Sequence, residues 1–304
     1  MTDPSTAPEL AGYLDEPKQL RVGSFGKNAF LHLRFERRGL RSILALMDRR
    51  APLLVQRALY CDEGMPTIPV VSIISNAGGI LQGDRYVMRF EVAEDAFAHV
   101  TTQAMTKIHE MDANHASQTQ EIVLAPGAYL EYLPDAAIPF KHSRFLTRTG
   151  IVVDPTATLL YSEILMGGRK YYGEGELFLF DLFSSTVRAE RPDGTELFTE
   201  KFVISPDADD VRAAGVMGEF DVFGNVVLLT PKPQADRILD RVAATYDREA
   251  RCACGVSRLP NDAGLVYKVL GMESSDVRAK VREFWGLVRP EVMGFPVPKE
   301  FPWR

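Results

Sequence analysis

The chain has 304 residues, 46% of them hydrophobic and 25% charged, so it is long enough to bury a sizeable core. Lys and Arg total 35 and Asp and Glu total 41, and the net charge of −6 argues against a nucleic-acid partner, which needs a basic surface. Three cysteines do not suggest a disulfide framework. The N-terminal residues lack the basic and apolar regions of a signal peptide, and no apolar run approaches the ~20 residues of a membrane helix. We therefore expect a cytoplasmic protein without membrane contact.

Short runs that favour strands occupy most of the chain after a polar, proline-rich start. We predict a loose lead-in at residues 1–20 and one β-rich domain at 21–304. Residues 85–92 alternate between the two faces of a half-buried strand. Because strands are frequent and long helices do not separate them, antiparallel sheets are expected. The other predicted strands are 70–74, 120–124, 129–133, 159–166, 177–187, 197–204 and 225–230.

Two α-helices are predicted late in the chain. The first begins near Pro233, which suits a first helical turn, and carries Ile238, Val242 and Tyr246 on one face. The second begins at a cap formed by residues 274–276 and stops before Pro290. Stripes of this kind usually face a core, although a partner surface is the alternative. The stripe of the second helix consists of Val277, Val281, Phe284, Trp285 and Val288.

A glycine pair, Gly78-Gly79, follows an apolar run and predicts a tight turn with positive φ. A phosphate-binding loop would need a Lys and then a Ser or Thr after its last glycine. Here Gly83 is followed by Asp84, whose carboxylate repels phosphate. We therefore expect no nucleotide site in this chain.

Polar side chains cluster in Thr101-Thr102-Gln103 and in Thr106-Lys107, and most of them are hydroxyls. The segment favours a strand, so one interpretation is a strand with a hydroxyl-lined face. The other is the polar wall of a water-filled passage. The residues alone leave both open.

Two carboxylates, Glu131 and Asp135, flank a proline at the end of the predicted strand 129–133. Pro134 and Pro139 end this strand and hold a rigid turn. The two carboxylates are thereby fixed near the strand end. They belong either to a solvated face or to a site that handles cations.

Arg169 follows Gly168, and three residues separate this pair from Gly173-Glu174. The planar guanidinium group of an arginine suits bidentate pairing with a buried carboxylate. A second Gly-Glu pair, 175–176, follows at once. Which glutamate faces inward stays open, because a shift of one residue reverses the face of a strand.

Four side chains are candidates for metal ligands. His109 and His115 are six residues apart, whereas a zinc-protease helix needs a spacing of four, so their loop offers one or two ligands at most. Cys252 and Cys254 form a Cys-x-Cys pair that is two ligands short of a tetrahedral site. The pair is either part of a metal site or two reduced thiols.

In this order and spacing, the four motifs resemble those of the UreD (also called UreH) family of urease accessory proteins. Members of that family carry GG…GD, TTQ…TK, EYLP…IPF and GR…GE elements. The likeness covers most of the chain after residue 20 and continues, more weakly, to the helix around Trp285. Gln82, His109 and Lys268 depart from the family pattern, which leaves room for a divergent paralogue.

The resemblance implies a mainly β protein that catalyses no reaction. Family members bind the helical protein UreF, which recruits the GTPase UreG, and they dock on apo-urease. Nickel is thought to pass through a tunnel in UreF and UreD, which implies transient Ni²⁺ and no tightly bound cofactor. Scattered carboxylates and hydroxyls suit a passage that attracts a dication without trapping it. The candidates by position are Asp84, Thr101, Thr102, Glu131, Asp135, Glu163 and Glu174.

Two other functions remain open. One is a carboxylate-based hydrolase that uses a pair such as Asp84 and Glu174, which would have to lie roughly 5–10 Å apart in one cleft. The other is a binding module that handles no metal. Neither is excluded by the residues alone.

Overall fold

A computed structural model describes residues 6–15 and 28–301 of the chain. The described part is mainly β, with the two α-helices α1 (Lys232–Leu239) and α2 (Ser274–Met293) and short 3₁₀ turns at Pro8–Leu10 and Pro260–Asp262. Its strands, in chain order, are β1 (Asn28–Arg38), β2 (Arg41–Arg50), β3 (Leu53–Leu54), β4 (Val70–Ser75), β5 (Arg85–Val92), β6 (Phe97–Thr102), β7 (Thr106–Ile108), β8 (Ala116–Leu124), β9 (Tyr129–Leu133), β10 (Ala137–Pro139), β11 (Arg144–Val153), β12 (Thr158–Met166), β13 (Gly168–Arg169), β14 (Glu176–Leu177), β15 (Leu182–Glu190), β16 (Glu196–Ile204), β17 (Val222–Leu229), β18 (Thr245–Asp247), β19 (Cys252–Arg258) and β20 (Gly264–Gly271).

Two large sheets face each other. Sheet I has the strand order β16-β15-β11-β8-β5-β1-β2. Sheet II has the order β18-β19-β20-β17-β12-β9-β6-β4-β3, with β10 attached to β12 and β7 attached to β10. The strands β13 and β14 form a small separate hairpin.

The prediction of antiparallel sheets is wrong for the middle of the molecule, because both sheets are mixed. In sheet I, each strand of the series β1, β5, β8, β11 and β15 pairs in parallel with the next. In sheet II, the same holds for the series β4, β6, β9 and β12. Parallel neighbours need a long crossover, which is usually a helix. Here the crossover is a strand of the opposite sheet, so the chain winds between the sheets as in a β-helix. The parallel series in each sheet are flanked by antiparallel pairs such as β1–β2, β15–β16 and β17–β20.

Several predicted strands are confirmed, with small changes at their ends. The predictions for 85–92 and 129–133 match β5 and β9. The predicted strand 177–187 is wrong as one element, because the chain leaves β14 and begins β15 only at Leu182. Strands β1, β2, β11, β19 and β20 were not predicted. An alternating apolar row marks β1, however, and Leu31, Leu33 and Phe35 of that row are fully buried.

Apolar side chains form two main cores. One lies between the sheets and includes Leu31, Phe90 and Val227. The other lies between sheet II and helix α2, where Trp285 and Phe284 contact the outer face of the sheet. The complete predicted stripe of the second helix is buried there, which confirms the core-facing interpretation.

Both helices differ from their predicted extents. Helix α1 ends at Leu239, so Val242 lies outside it and Tyr246 belongs to β18, where pairing with β19 replaces the helix. Helix α2 does not stop before Pro290 but continues to Met293. Proline inside a helix costs about 3 kcal/mol. The preceding residue, Arg289, is fully buried, and its contacts hold this last turn in place.

The described N-terminal segment, residues 6–15, packs on the outer face of sheet I. Ala7 and Leu10 are buried against Leu146 and Leu182. Residues 1–5 and 16–20 of the predicted lead-in lie outside the described residues, and the single domain at 21–304 stays a prediction. None of the described helices is both long enough and apolar enough to cross a membrane.

Candidate functional site

A cavity of about 270 Å³ lies between the two sheets. At one end it is lined by Gly78, Gly79, Gln103 and Lys107, all of which except Gly79 are exposed to solvent. We call this end the mouth. Gly78 adopts φ +72°, which confirms the predicted turn with positive φ. The turn thus forms part of the mouth, and the interior of the cavity extends from there between the inner faces of the two sheets.

Polar side chains from both sheets meet across the interior of the cavity. In sheet I, Gln118, Thr147 and Ser185 are register neighbours on β8, β11 and β15. In sheet II, Tyr132 and Tyr161 are register neighbours on β9 and β12. All five side chains except Ser185 line the cavity. Apolar side chains, including Met88, Phe145 and Phe183, fill the wall between these polar groups.

Hydrogen bonds fix the aromatic hydroxyls across the sheets. Tyr132 donates its hydroxyl to Gln120 Oε1 at 2.6 Å. Gln120 Nε2 in turn donates to Thr149 Oγ1 at 2.9 Å and to the Tyr161 hydroxyl at 3.3 Å. A satisfied buried network of this kind is rigid. The cavity wall therefore presents polar atoms in fixed positions.

Glu163 is the carboxylate deepest along the polar wall. Ser185 Oγ donates to its Oε1 at 2.9 Å. Its Oε2 has almost no accessible surface and no hydrogen-bond partner among the described residues. Burial raises the pKa of Glu163, although the nearby hydroxyls of Ser185 and Tyr161 oppose this effect. The deep part of the cavity is thus a costly place for a negative charge.

Replacing Glu163 with Gln is expected to stabilise the protein at neutral pH. A carboxyl with a raised folded-state pKa contributes stability that is present below its unfolded pKa, about 4.3, and is lost as the pH rises through the folded value. Glutamine does not ionise, so Glu163→Gln avoids this loss. The difference in free energy of unfolding between variant and wild type, measured by urea denaturation, should grow in the variant's favour from pH 4 toward neutral. Glu174→Gln, at an exposed position, is the control, and a pH-independent difference for Glu163→Gln would contradict the assignment.

A second carboxylate, Asp135, lines the cavity nearer the mouth. Its Oδ1 accepts a hydrogen bond from the Ala136 N–H at 2.8 Å and faces Arg278 Nη1 at 3.4 Å. Its own N–H donates to Thr102 Oγ1 at 2.9 Å. Burial raises the pKa of Asp135, and the Ala136 N–H and Arg278 work against that rise. Asp135 and Glu163 therefore place carboxylates at two depths.

The structure brings only part of the predicted set to the cavity. The predicted residues that line it are Gly78, Gly79, Thr102, Gln103, Lys107, Pro134, Asp135 and Glu163. Thr101 lies on the other face of β6 and donates its hydroxyl to the Leu133 carbonyl at 2.7 Å. Thr101 and Thr102 thus face different surroundings, because neighbouring side chains of a strand point to opposite faces, and the water-filled passage stays a prediction.

Asp84 and Glu174, the pair considered for a hydrolase, do not line the cavity. Asp84 closes the turn of residues 81–84 before β5, and its buried carboxylate accepts the Leu81 N–H through Oδ2 at 2.9 Å. Glu174 is exposed beside Gly173 in the β13–β14 hairpin. One carboxylate is buried in a turn and the other is in solvent, so this pair does not support the hydrolase alternative.

Glu131 is saturated by hydrogen bonds between sheet II and helix α2. It is fully buried and accepts from Tyr129, Trp285, Arg289 and the Nδ1 atom of His99. Burial by itself raises the pKa of Glu131, but the hydrogen bonds and charge of Arg289 outweigh it and hold the pKa well below the usual range. No oxygen lone pair is left for a transported cation, so Glu131 serves to hold the helix on the sheet.

Arg289 also pairs with Asp62, so one guanidinium group holds two buried carboxylates. Asp62, His99 and Arg289 were not predicted as members of a site. A signal for Arg289 was present, since it lies four residues after Trp285 and therefore on the buried stripe of α2. An arginine on an apolar stripe indicates a buried anionic partner.

Arg169 pairs with Glu176 and not with Glu174, which settles the choice between the two glutamates. Its Nε and Nη2 atoms both donate to Glu176 carboxylate oxygens at 2.6 Å. The guanidinium also lies between the rings of Phe140 and Tyr172, 3.9 and 3.8 Å from their centroids. This pair closes the β13–β14 hairpin next to Pro139 of β10, outside the cavity.

Replacing Gly168 with Ala is expected to destabilise this hairpin. Gly168 has φ +132°, and an added Cβ would lie 1.9 Å from the Glu176 carbonyl oxygen. Strain of this kind costs about 1–3 kcal/mol, to be measured as the loss in free energy of unfolding. Gly173→Ala is the control, because Gly173 has φ +58° but nothing within 4 Å, and its loss should be about 1 kcal/mol. Equal losses at both positions would contradict the close approach.

The candidate metal ligands do not converge. His109 packs against Phe140 with ring centroids 4.8 Å apart, and buried His115 donates its Nδ1–H to the Tyr13 carbonyl at 3.0 Å. Cys252 is buried toward α2, and Cys254 is half-buried with its Sγ 3.0 Å from a threonine hydroxyl. Within residues 6–15 and 28–301, no group of three or more His, Cys, Asp or Glu side chains is placed to hold a metal ion.

Comparisons with known proteins agree with the motif pattern. The family described as "UreD urease accessory protein" matches residues 27–304. "Urease accessory protein UreD 2" of Brucella suis biovar 1 (strain 1330) is 60% identical over 297 residues, which is 98% of each chain. "Urease accessory protein UreD" of Yersinia pseudotuberculosis serotype O:1b (strain IP 31758) is 53% identical over 298 residues, or 98% of this chain and 93% of that relative. The chain therefore belongs to the UreD family of urease accessory proteins.

Proposed function

We propose that this protein is a non-catalytic scaffold in urease maturation and that Ni²⁺ crosses it through the cavity between the sheets. The observation that carries the proposal is the polar wall, which runs from Thr102 and Asp135 near the mouth to Glu163 in the interior. Family membership supplies the connection to urease. The cavity supplies a route whose polar groups suit a cation.

The chemistry of the wall favours transit over storage. A passage must attract an ion and also release it, so single carboxylates along a route serve better than a complete set of ligands. Asp135 and Glu163 are such single carboxylates, and uncharged hydroxyl and amide groups lie between them. Nickel is the cargo of this protein and not a resident cofactor.

The partners that we propose are UreF, UreG bound through UreF, and the subunits of apo-urease, all in the cytoplasm. Large exposed aromatic residues suit such contacts, because exposed apolar patches mark interaction surfaces. Tyr171 and Tyr172 of the β13–β14 hairpin are 80% and 58% exposed. Nearby ion pairs, including Lys170 with Asp221 and Glu273, hold this hairpin in place.

Reconstitution tests the proposal directly. Apo-urease, UreF, UreG, GTP and Ni²⁺ are combined with and without this chain, and urease activity and nickel content are measured. We expect nickel incorporation only when the chain is present. Equal incorporation without it would refute the scaffold function. A chain that binds UreF and urease but leaves nickel incorporation unchanged would instead be a binding module that handles no metal.

A further inference from the structure

The groups that the cavity offers to an ion are mostly neutral. Amides, a hydroxyl and phenols line its interior, from Gln118, Gln120, Thr147, Tyr132 and Tyr161. One oxygen atom of each carboxylate is not free to coordinate an ion. Asp135 Oδ1 is held by the Ala136 N–H and by Arg278, and Glu163 Oε2 has almost no accessible surface. The wall is therefore better suited to hydrogen-bonding water than to direct coordination of a metal ion.

Thr147 provides an independent indication of a ligand that forms hydrogen bonds. Its side chain is only 4% exposed, and it lines the cavity between register neighbours Gln118 and Ser185. Its Oγ1 has no hydrogen-bond partner in the described part of the chain. A buried hydroxyl without a partner destabilises the folded protein, because it has lost its hydrogen bonds to water. A polar ligand in the cavity that donates or accepts one hydrogen bond would remove this cost.

The size of the cavity allows an ion to enter with its water. At roughly 30 Å³ per molecule, six waters occupy about 180 Å³, and the cavity measures about 270 Å³. Small divalent cations with octahedral geometry lose their waters reluctantly. Stripping them requires free ligands that converge on one point, whereas here several of the polar groups are already hydrogen-bonded to one another across the two sheets.

We propose that the cavity takes up Ni²⁺ as a hydrated ion, which the wall holds through hydrogen bonds to the ion's water molecules. This inference rests on the proposed passage of nickel and specifies the chemical form of the cargo. Gln118, Gln120 and Thr147 from sheet I and the tyrosines of sheet II contact the water shell. Both carboxylates act through their charge and not as ligands.

An exchange-inert complex separates the two modes of binding. Hexaamminecobalt(III) does not release its ammonia ligands, so it can occupy a site for a hydrated ion but cannot be coordinated by protein atoms. Paramagnetic Ni²⁺ added to the full-length chain should broaden the methyl NMR signals of Met88 and Met105, which line the cavity. The methyl signal of Met47, which is 38% exposed at the edge of sheet I, should be much less affected by Ni²⁺. Hexaamminecobalt(III), which is diamagnetic, should reverse the broadening.

Two variants refine the test. Thr147→Val keeps the shape and removes the hydroxyl, so it should weaken Ni²⁺ and hexaamminecobalt(III) binding by the same factor, about fivefold. Thr119→Val, on the outer face of the adjacent strand β8, is the matched control and should change neither. Broadening that hexaamminecobalt(III) fails to reverse would overturn the hydrated form while leaving the passage itself intact. If Ni²⁺ broadens neither cavity methyl, the proposed passage also fails.

Discussion

Replacing Arg289 with Met is expected to lower the free energy of unfolding by about 3–5 kcal/mol. Arg289 is fully buried and pairs with both Asp62 and Glu131. Without the guanidinium group, two carboxylates remain in an apolar interior with little to balance their charge. Because folded domains are stable by only about 5–15 kcal/mol in total, this single change removes a large part of the stability. Urea denaturation followed by circular dichroism measures the loss.

Lys280→Met is the matched control for this prediction, since Lys280 lies on the same helix and forms a partly exposed pair with Glu283. Surface pairs contribute about 0–1 kcal/mol, so the control should lose little. If Arg289→Met does not fold, combining it with Glu131→Gln and Asp62→Asn removes the buried negative charges and should restore part of the stability. A loss as small as that of Lys280→Met would show that the network does not hold the helix.

Replacing Thr147 with Phe is expected to slow nickel incorporation in the reconstituted system at least about tenfold, which corresponds to roughly 1.4 kcal/mol added to the barrier. Thr147 points into the cavity between the two sheets. A phenyl ring at this position fills space along the polar wall and replaces a hydroxyl with an apolar surface. The measurement is the rate of urease activation at fixed Ni²⁺, together with binding of the variant to UreF and urease, which should be unchanged.

Thr119→Phe introduces the same ring on the outer face of β8, where the register neighbour of Thr119 is Arg148 of β11. It should support activation at the wild-type rate. Overpacking a core costs about 1–3 kcal/mol, so the folded fraction of Thr147→Phe is checked by denaturation before rates are compared. A folded Thr147→Phe protein that activates urease at the normal rate would exclude this cavity as the nickel route.

Local patterns predicted the strands whose signal is contained in their own residues. Strands β5 and β9 were found because side-chain alternation or a short apolar run between turn residues is visible within eight residues. Parallel pairing was missed because it depends on distant segments. Arg85 pairs with Ser117, for example, and nothing near either residue indicates the other. The absence of helices misled the prediction, since opposite strands replaced them as crossovers.

In the candidate site, too, features within a short segment were predicted and contacts between distant segments were missed. The threonine and proline motifs located the mouth of the cavity, because Thr102 and Asp135 are in short blocks that meet through one hydrogen bond. Glu131 was assigned to the nickel path because three of the four residues that donate to it, His99, Trp285 and Arg289, lie far from it in the sequence. Its partner Arg289 is 158 residues away in the chain. The function of a carboxylate depends on what neutralises it, and a motif of six residues does not contain that information.

The order of synthesis gives the buried arginine one further consequence. Asp62 and Glu131 leave the ribosome 227 and 158 residues before Arg289 does. Until the last helix emerges, a nascent chain has two acidic groups in its centre and no cation to accompany them, so that part of the molecule stays open to water. Polypeptides that end inside the last helix before Arg289 should therefore be substrates for cellular proteases, even though the strands up to β20 are already present.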